Sequence, residues 1–332
     1  MITRRLPALA VAAVLAVAPL TACSAGPEPE ASASAVDLKP VTVGLSYIPN
    51  VQFSAFYVGV EQGIFEDLGL DVTLRHHGEQ EDVFGALLGG QEDVVFASAD
   101  EAMVAAAAGQ DLQTFATSYQ RFPAEVMTDR AIEGATLADL KGHTLGIPGH
   151  YGSSYYAALA AIHQAGLTED DVTLQDIGYT QLSALAADQV DFIVGFHNNE
   201  LVQLQATGGD VTSIPVSDPD SPTLVGPSLV SSGDTLSDET VAALAEGMKQ
   251  AEQAVIDDPE AALDATAEQV PALADAEQRA VAGRVLAATT ELWLKDGKVD
   301  VTVDTDAFAA MGDFLTQAGI IDQAPAEPYR IV

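Results

Sequence analysis

Basic residues are scarce in this 332-residue chain: 13 Lys and Arg stand against 49 Asp and Glu, a net charge of −36. A surface of that sign cannot neutralise phosphates or attract anionic headgroups, which argues against nucleic-acid binding and against electrostatic adhesion to lipid. The chain has one cysteine, Cys23, so it can form neither an intramolecular disulfide nor a thiolate metal cluster. No apolar run approaches the ~20 residues that a membrane-spanning helix needs. Catalytic signatures are missing too: there is no Gly-x-Ser-x-Gly elbow, no His-Glu-x-x-His helix and no P-loop lysine. What remains is an ordinary globular composition, 48% hydrophobic and 19% charged. The length is near the limit of a single core and predicts two lobes.

The lone cysteine sits in an informative place. Arg4 and Arg5 precede the apolar run 6–18, which is too short to span a bilayer and suits a signal-peptide core. Leu20-Thr21-Ala22-Cys23 then reads as a bacterial lipobox, with Cys23 lipidated and residues 1–22 removed. An ordinary secretory peptide that happens to hold a cysteine is the plainer alternative. Cleavage removes two arginines and no acid, taking −36 to −38. Ser24 to Ala35 is Ala/Ser/Pro/Glu without a bulky apolar residue and reads as a flexible tether.

An internal repeat sets the expected architecture. Asp71-Val72-Thr73-Leu74 recurs as Asp171-Val172-Thr173-Leu174, and Ala86-Leu87 to Asp93 recurs as Ala184-Leu185 to Asp191. Val43-Gly44-Leu45, leading to Gly63, parallels Leu145-Gly146-Ile147, leading to Gly166. Each half reads strand, helix, strand, helix, strand, which predicts an α/β fold of two lobes with ligands at the carboxyl ends of the strands. A strand is expected over Leu224 to Ser231. After it come helices starting at Asp258-Pro259-Glu260, over Asp275 to Leu294 and over Asp306 to Gly319.

The few aromatics, 6% of the chain, concentrate at the predicted strand ends. The first half offers Tyr47, Asn50 and Gln52, then His77, then Ser98, Asp100 and Glu101; the crossover between halves holds Tyr119 and Arg121. The second half offers His150, Tyr151, Ser153, Ser154 and Tyr155, then Tyr179, then Asn199 and Glu200. Flat apolar faces beside amides, hydroxyls and carboxylates suit a planar ligand that stacks and hydrogen-bonds. Core packing is the competing account of each aromatic, favoured for Phe53 and Phe56 and evenly balanced for Tyr151, Tyr155 and Tyr156. Gly149 to Ser154, opening a helix, resembles an anion-binding nest, although a tight turn also explains its glycines. The run His76-His77-Gly78-Glu79-Gln80-Glu81-Asp82 has metal-competent side chains without a third ligand cluster, so a pocket rim or solvated turn is expected instead of a metal.

These segments resemble the extracytoplasmic solute-binding proteins of ABC importers, in the branch that binds thiamine-pyrimidine precursors, riboflavin and alkanesulfonates. The resemblance rests on Tyr47-Ile48-Pro49-Asn50, Gly63-Ile64-Phe65, Gly69-Leu70-Asp71-Val72, Asp93 to Ser98, Leu140-Lys141-Gly142, Gly146-Ile147-Pro148-Gly149, Asp191 with Gly195, and Phe314 to Ile321. It covers about residues 40–325. It implies a type II periplasmic-binding-protein fold in which two lobes, each a mixed or parallel sheet flanked by helices, close over a ligand. The implied organisation is signal peptide 1–22, tether 23–40, first lobe 41–122, second lobe 123–225, and a return to the first lobe with C-terminal helices over 226–332. It further implies a monomer held at the outer face of the membrane through its lipid alone, serving a permease and an ATPase, with no cofactor, no metal and no enzymatic activity. Arg121 as the one fixed cation among the candidate loops, set against Asp100, Glu101 and Glu200, favours a heteroaromatic vitamin or precursor over a sulfonate. A tethered sensor or adhesin is a further alternative. The fungal thiamine pyrimidine synthases share the fold. This chain lacks their cysteine motif and carries Asp100-Glu101 where they have a histidine.

Overall fold

The computed structural model describes residues 38–78, 81–218 and 223–332. Cys23, the signal peptide and most of the tether lie outside these residues, as do Glu79 and Gln80.

The chain first builds β1 (Lys39–Leu45), β2 (Leu70–His76), β3 (Val94–Ser98) and β4 (Leu112–Thr117). Between β1 and β2 lie α1 (Ser54–Glu61) and α2 (Ile64–Asp67). The two helices are separated at Gly63, whose φ of 71° terminates α1. α3 (Gly85–Leu88) and α4 (Ala99–Ala107) flank β3. The chain then crosses to a second sheet built from β5 (Ala124–Thr128), β6 (Thr144–Ile147), β7 (Thr173–Asp176), β8 (Phe192–Phe196) and β9 (Thr212–Pro215). Its helices are α5 (Gly152–Gln164), α6 (Gln181–Ala186) and α7 (Glu200–Ala206). β10 (Pro227–Ser232) returns to the first sheet. The sheet orders are β2-β1-β3-β10-β4 and β7-β6-β8-β5-β9, parallel within each βαβαβ half and antiparallel where β10 and β5 insert.

The sequence repeat has a physical counterpart in the backbone. The carboxylate of Asp93, just before β3, accepts from Thr42 N at 2.8 Å, and Asp191, just before β8, accepts from Thr144 N at 3.0 Å. Each aspartate also donates its own N–H to the same threonine's carbonyl, at 2.9 and 3.1 Å. The turn before each carries one left-handed residue, Gly90 (φ 68°) in the first half and Asp188 (φ 51°) in the second. These reciprocal bonds lock the third strand of each half beside the first.

The C-terminal helices are α8 (Asp238–Asp257), α9 (Pro259–Gln269), α10 (Ala276–Leu292) and α11 (Thr305–Gln317). Asp258 caps α9 by accepting from Ala261 N, with Pro259 in the first turn, and Asp275 caps α10 through Glu277 N and Gln278 N. α8, α9 and α10 share the hydrophobic core of the first sheet, with Val241, Leu244 and Leu286 packed beside Phe56 and Val58. α11 belongs elsewhere. Its Phe308, Met311 and Leu315 pack with Ile147, Ala157 and Ala161 of the second sheet and with Met103 of α4, so it bridges the two halves. The last residues pair back to the first sheet through Thr114 N and Pro328 O, 3.1 Å, and through an ion pair of Arg330 with Asp238.

The crossings are held from the same side. Ser118 donates to the fully buried Glu252 of α8 at 2.5 Å, and Gln120 N donates to Leu292 O at 2.7 Å. Asn198 donates to Thr289 of α10 at 2.8 Å and to the Tyr119 hydroxyl at 3.2 Å. Burial holds the Glu252 carboxyl well above the usual carboxylate range.

Candidate functional site

A cleft lies between the sheets at the carboxyl ends of β1, β3, β6 and β8, where an open α/β sheet places ligands. It holds about 930 Å³ of atom-free space, counted out into the solvent at its open mouth.

Of the candidate residues, Tyr47, Gln52, Ser98, Glu101, Tyr119, Tyr151, Ser153, Ser154, Tyr179, Asn199 and Glu200 all line this cleft. The remaining six stand elsewhere, each for a visible reason. Asn50 spends its side chain on capping the short 3₁₀ turn Val51–Phe53, accepting from Gln52 N at 3.1 Å. His77 is buried against Glu92, 2.9 Å from Oε1, in a network that Arg75 extends to Glu81. Gly44 is required there, because a Cβ on it would fall 2.3 Å from a Glu92 carboxylate oxygen. Asp100 is fully buried in the first turn of α4 and accepts from Glu101 N at 2.8 Å. Arg121 lies half-buried in the crossover. His150 is exposed and pairs with Asp176 at 2.7 Å, and Tyr155 stacks on it at 5.2 Å. Among the described residues no group of three or more His, Cys, Asp or Glu is arranged to hold a metal ion.

The aromatic wall is larger than the sequence suggested. Phe53 and Phe96 line the cleft as well as the core, their rings edge-on at 6.1 Å, and Phe96 continues to Tyr119 at 6.4 Å. Edge-to-face packing fixes these rings and leaves a rigid apolar floor. Ser46 and Gln181 add polar groups that sequence reasoning missed. Gln181 was findable, since the repeat sets 178–181 opposite 78–81. Phe53 was hidden because a ring can face both core and cleft.

Tyr47 is positioned by His76, which the sequence offered only as a metal candidate. Its Nδ1–H donates to the Tyr47 carbonyl at 2.9 Å, and Nε2 accepts from the Tyr57 hydroxyl at 2.9 Å. That pattern requires the neutral imidazole, and burial lowers the His76 pKa accordingly. On the far wall Gly149 lets Tyr151 fold back, since a Cβ there would fall 2.3 Å from its ring. The Tyr47 and Tyr179 rings meet across the mouth at 4.6 Å.

The two cleft carboxylates differ. Glu200 is internally committed: Oε2 accepts from Phe196 N at 2.7 Å and Oε1 from Asn199 Nδ2 at 2.8 Å. Glu101 is 9% exposed, and among the described residues nothing donates to its carboxylate. Burial, then repulsion from Asp100 and Asp82, push its pKa up to about 8, and burial lifts Asp100 to about 7. At neutral pH Glu101 is therefore largely a neutral acid able to donate or accept. Ser153, in the first turn of α5, also has a buried hydroxyl without a partner. No Lys, Arg or His lines the cleft among the described residues. The arrangement can stack a planar apolar ring and hydrogen-bond its polar edge; it has no fixed positive side chain for an anion.

Comparisons with known proteins agree with this geometry. The riboflavin-binding protein RibY of Chloroflexus aurantiacus is 36% identical over 217 residues, 62% of this chain and 62% of that protein. The formylaminopyrimidine-binding protein of Halalkalibacterium halodurans is 28% identical over 184 residues, 53% of each. The match thus spans less than two thirds of either relative's length. Among solved structures, the alkanesulfonate-binding protein SsuA of Xanthomonas axonopodis pv. citri, bound to MOPS, superposes with a TM-score of 0.66 at 19% identity over 90% of this chain and all of that one. That likeness establishes the periplasmic-binding-protein fold. The sequence profile of the family described as NMT1/THI5 like matches residues 50–262, and the chain belongs to that family.

Proposed function

We propose that this protein is an extracytoplasmic solute-binding protein of an ABC importer that captures a planar nitrogen heteroaromatic of the riboflavin type and delivers it to a permease and ATPase. The observation that carries the reading is the cleft itself: Tyr47, Phe53, Phe96, Tyr119, Tyr151 and Tyr179 around Glu101, with no cationic side chain and no donor to the Glu101 carboxylate among the described residues. Stacking a ring on such faces contributes about 0.5–1.5 kcal/mol per aromatic pair beyond burial. The relatives named for riboflavin and formylaminopyrimidine binding support a heteroaromatic ligand. An alkanesulfonate is the second reading. The α5 N-terminus with Ser153 favours it, since free N–H groups there suit an anion. Glu101 opposes it.

Binding rather than catalysis is supported by the relatives' names. Within the proposal, residues 41–122, 123–225 and 226–332 act as first lobe, second lobe and return, and Cys23 carries a lipid that tethers the monomer. Titrating the mature domain with riboflavin, read by quenching of flavin fluorescence and by thermal shift, tests the ligand. Saturable 1:1 quenching with a raised melting temperature is expected, and no response to a flavin overturns the assignment. For the tether, Cys23→Ser should abolish incorporation of labelled fatty acid; retained label would refute the anchor.

A further inference from the structure

Beyond the aromatic cleft lies a second chamber of about 1,060 Å³ of atom-free space, also open to solvent. The two meet at Val83, Glu101, Tyr151 and Gly152, which line both. Its own walls differ in chemistry: Glu81, Asp82 and Gln110 stand with Tyr156 and the small residues of the outer face of α4. No Lys, Arg or His lines it among the described residues. Burial, with smaller contributions from Glu101, Asp100 and Asp82, pushes the Tyr156 phenol up to about 12. It therefore stays a neutral hydroxyl.

Glu101 stands at the junction. It is nine-tenths buried, no hydrogen bond reaches its carboxylate among the described residues, and it opens on both chambers, where a ligand can meet it. Gly152 lies beside it, and its φ of 75° is a left-handed conformation that favours glycine. A ring confined to the first chamber would leave the second chamber unused.

We propose that the site is bipartite: the ligand's ring occupies the aromatic chamber while a hydroxyl- or amine-bearing tail passes Glu101 into the acidic chamber, so that a phosphorylated tail is rejected. This rests on the ring-binding reading above. A tail of hydroxyls can donate to Glu101 and Asp82, whereas a phosphate would lose its hydration beside these carboxylates, because the nearby Arg75 is already paired with Glu81 and Glu92.

The test compares three flavins on the mature protein by fluorescence titration: riboflavin, lumiflavin (the same ring with a methyl in place of the tail) and flavin mononucleotide. Riboflavin should bind at least tenfold tighter than either of the others. Asp82→Lys, at an exposed position, places a cation in the second chamber and should narrow the riboflavin-to-mononucleotide ratio about tenfold, a gain that structural damage does not produce. Glu101→Gln should weaken riboflavin more than lumiflavin. Equal affinities for riboflavin and lumiflavin would overturn the bipartite site and leave ring binding intact. Binding of no flavin would overturn both.

Discussion

Glu101 shows how position within a fold sets the chemistry of a side chain. In the first turn of α4 the helix dipole favours its negative form, yet burial and the neighbouring Asp100 and Asp82 outweigh that and raise its pKa from 4.5 to about 8. The stability consequence has a definite sign. Between pH 4.5 and 8 the native state holds a proton that the unfolded chain has released, so this group's contribution to stability falls as pH rises through that window and levels off above it. Tyr156 and Asp100 face the same carboxyl, so the parent alone would report several groups at once. The melting temperature of Glu101→Gln minus that of the parent should therefore increase from pH 4.5 to 8. Parallel melting curves across that range would show that Glu101 ionises freely. Tyr47 makes the complementary point, since its place in the cleft wall depends on His76, a residue 29 positions away whose neutral ring holds the loop carbonyl.

At the scale of elements, the two βαβαβ halves were readable because repetition survives in residues that perform a backbone task. Asp93 and Asp191 recur because each must accept an N–H from the strand beside it. Hydrogen bonds to a charged acceptor contribute about 1.5–3 kcal/mol, so Asp93→Ala and Asp191→Ala should each destabilise by about that amount in urea unfolding, with an unchanged m-value. A loss below about 0.5 kcal/mol in both would mean the shared turn geometry, not the carboxylate, holds the strands. The strand expected at Leu224 to Ser231 forms as Pro227–Ser232, and its antiparallel insertion between β3 and β4 had no local signature. Periodicity reports which face of a strand is buried and says nothing of which strand lies alongside. The destination of α11 was equally illegible, because an amphipathic stripe fits any apolar surface of suitable shape.

For the whole molecule, the two halves touch on both sides of the cleft, through Tyr47 on Tyr179 at the mouth and Glu101 beside Gly152 within. Closure of this kind buries a ligand and requires a more open state for entry. Small-angle scattering of the unliganded mature protein should give a radius of gyration above that of this structure, contracting to it with saturating riboflavin. Identical curves with and without bound riboflavin would argue against a hinge. Tyr179→Ala should weaken riboflavin about two- to tenfold, the worth of one aromatic pair at ~0.5–1.5 kcal/mol.

The sequence by itself determined the α/β class, the two-lobed repeat, the strand ends that face the cleft and eleven of the side chains that line it, because each follows from short-range patterns: apolar runs, caps and turns. Only the tertiary structure decided that Asn50, Asp100 and His77 are occupied elsewhere, that Glu200 is satisfied internally while Glu101 is not, and that a second chamber opens behind Tyr151. Those outcomes depend on which groups the folded backbone brings to a side chain, near in sequence for Asn50, Asp100 and Glu200 and farther off for His77. A carboxylate's role is set by the donors that the folded backbone aims at it, Phe196 N and Asn199 for Glu200 and none among the described residues for Glu101, and apolar patterning does not report them.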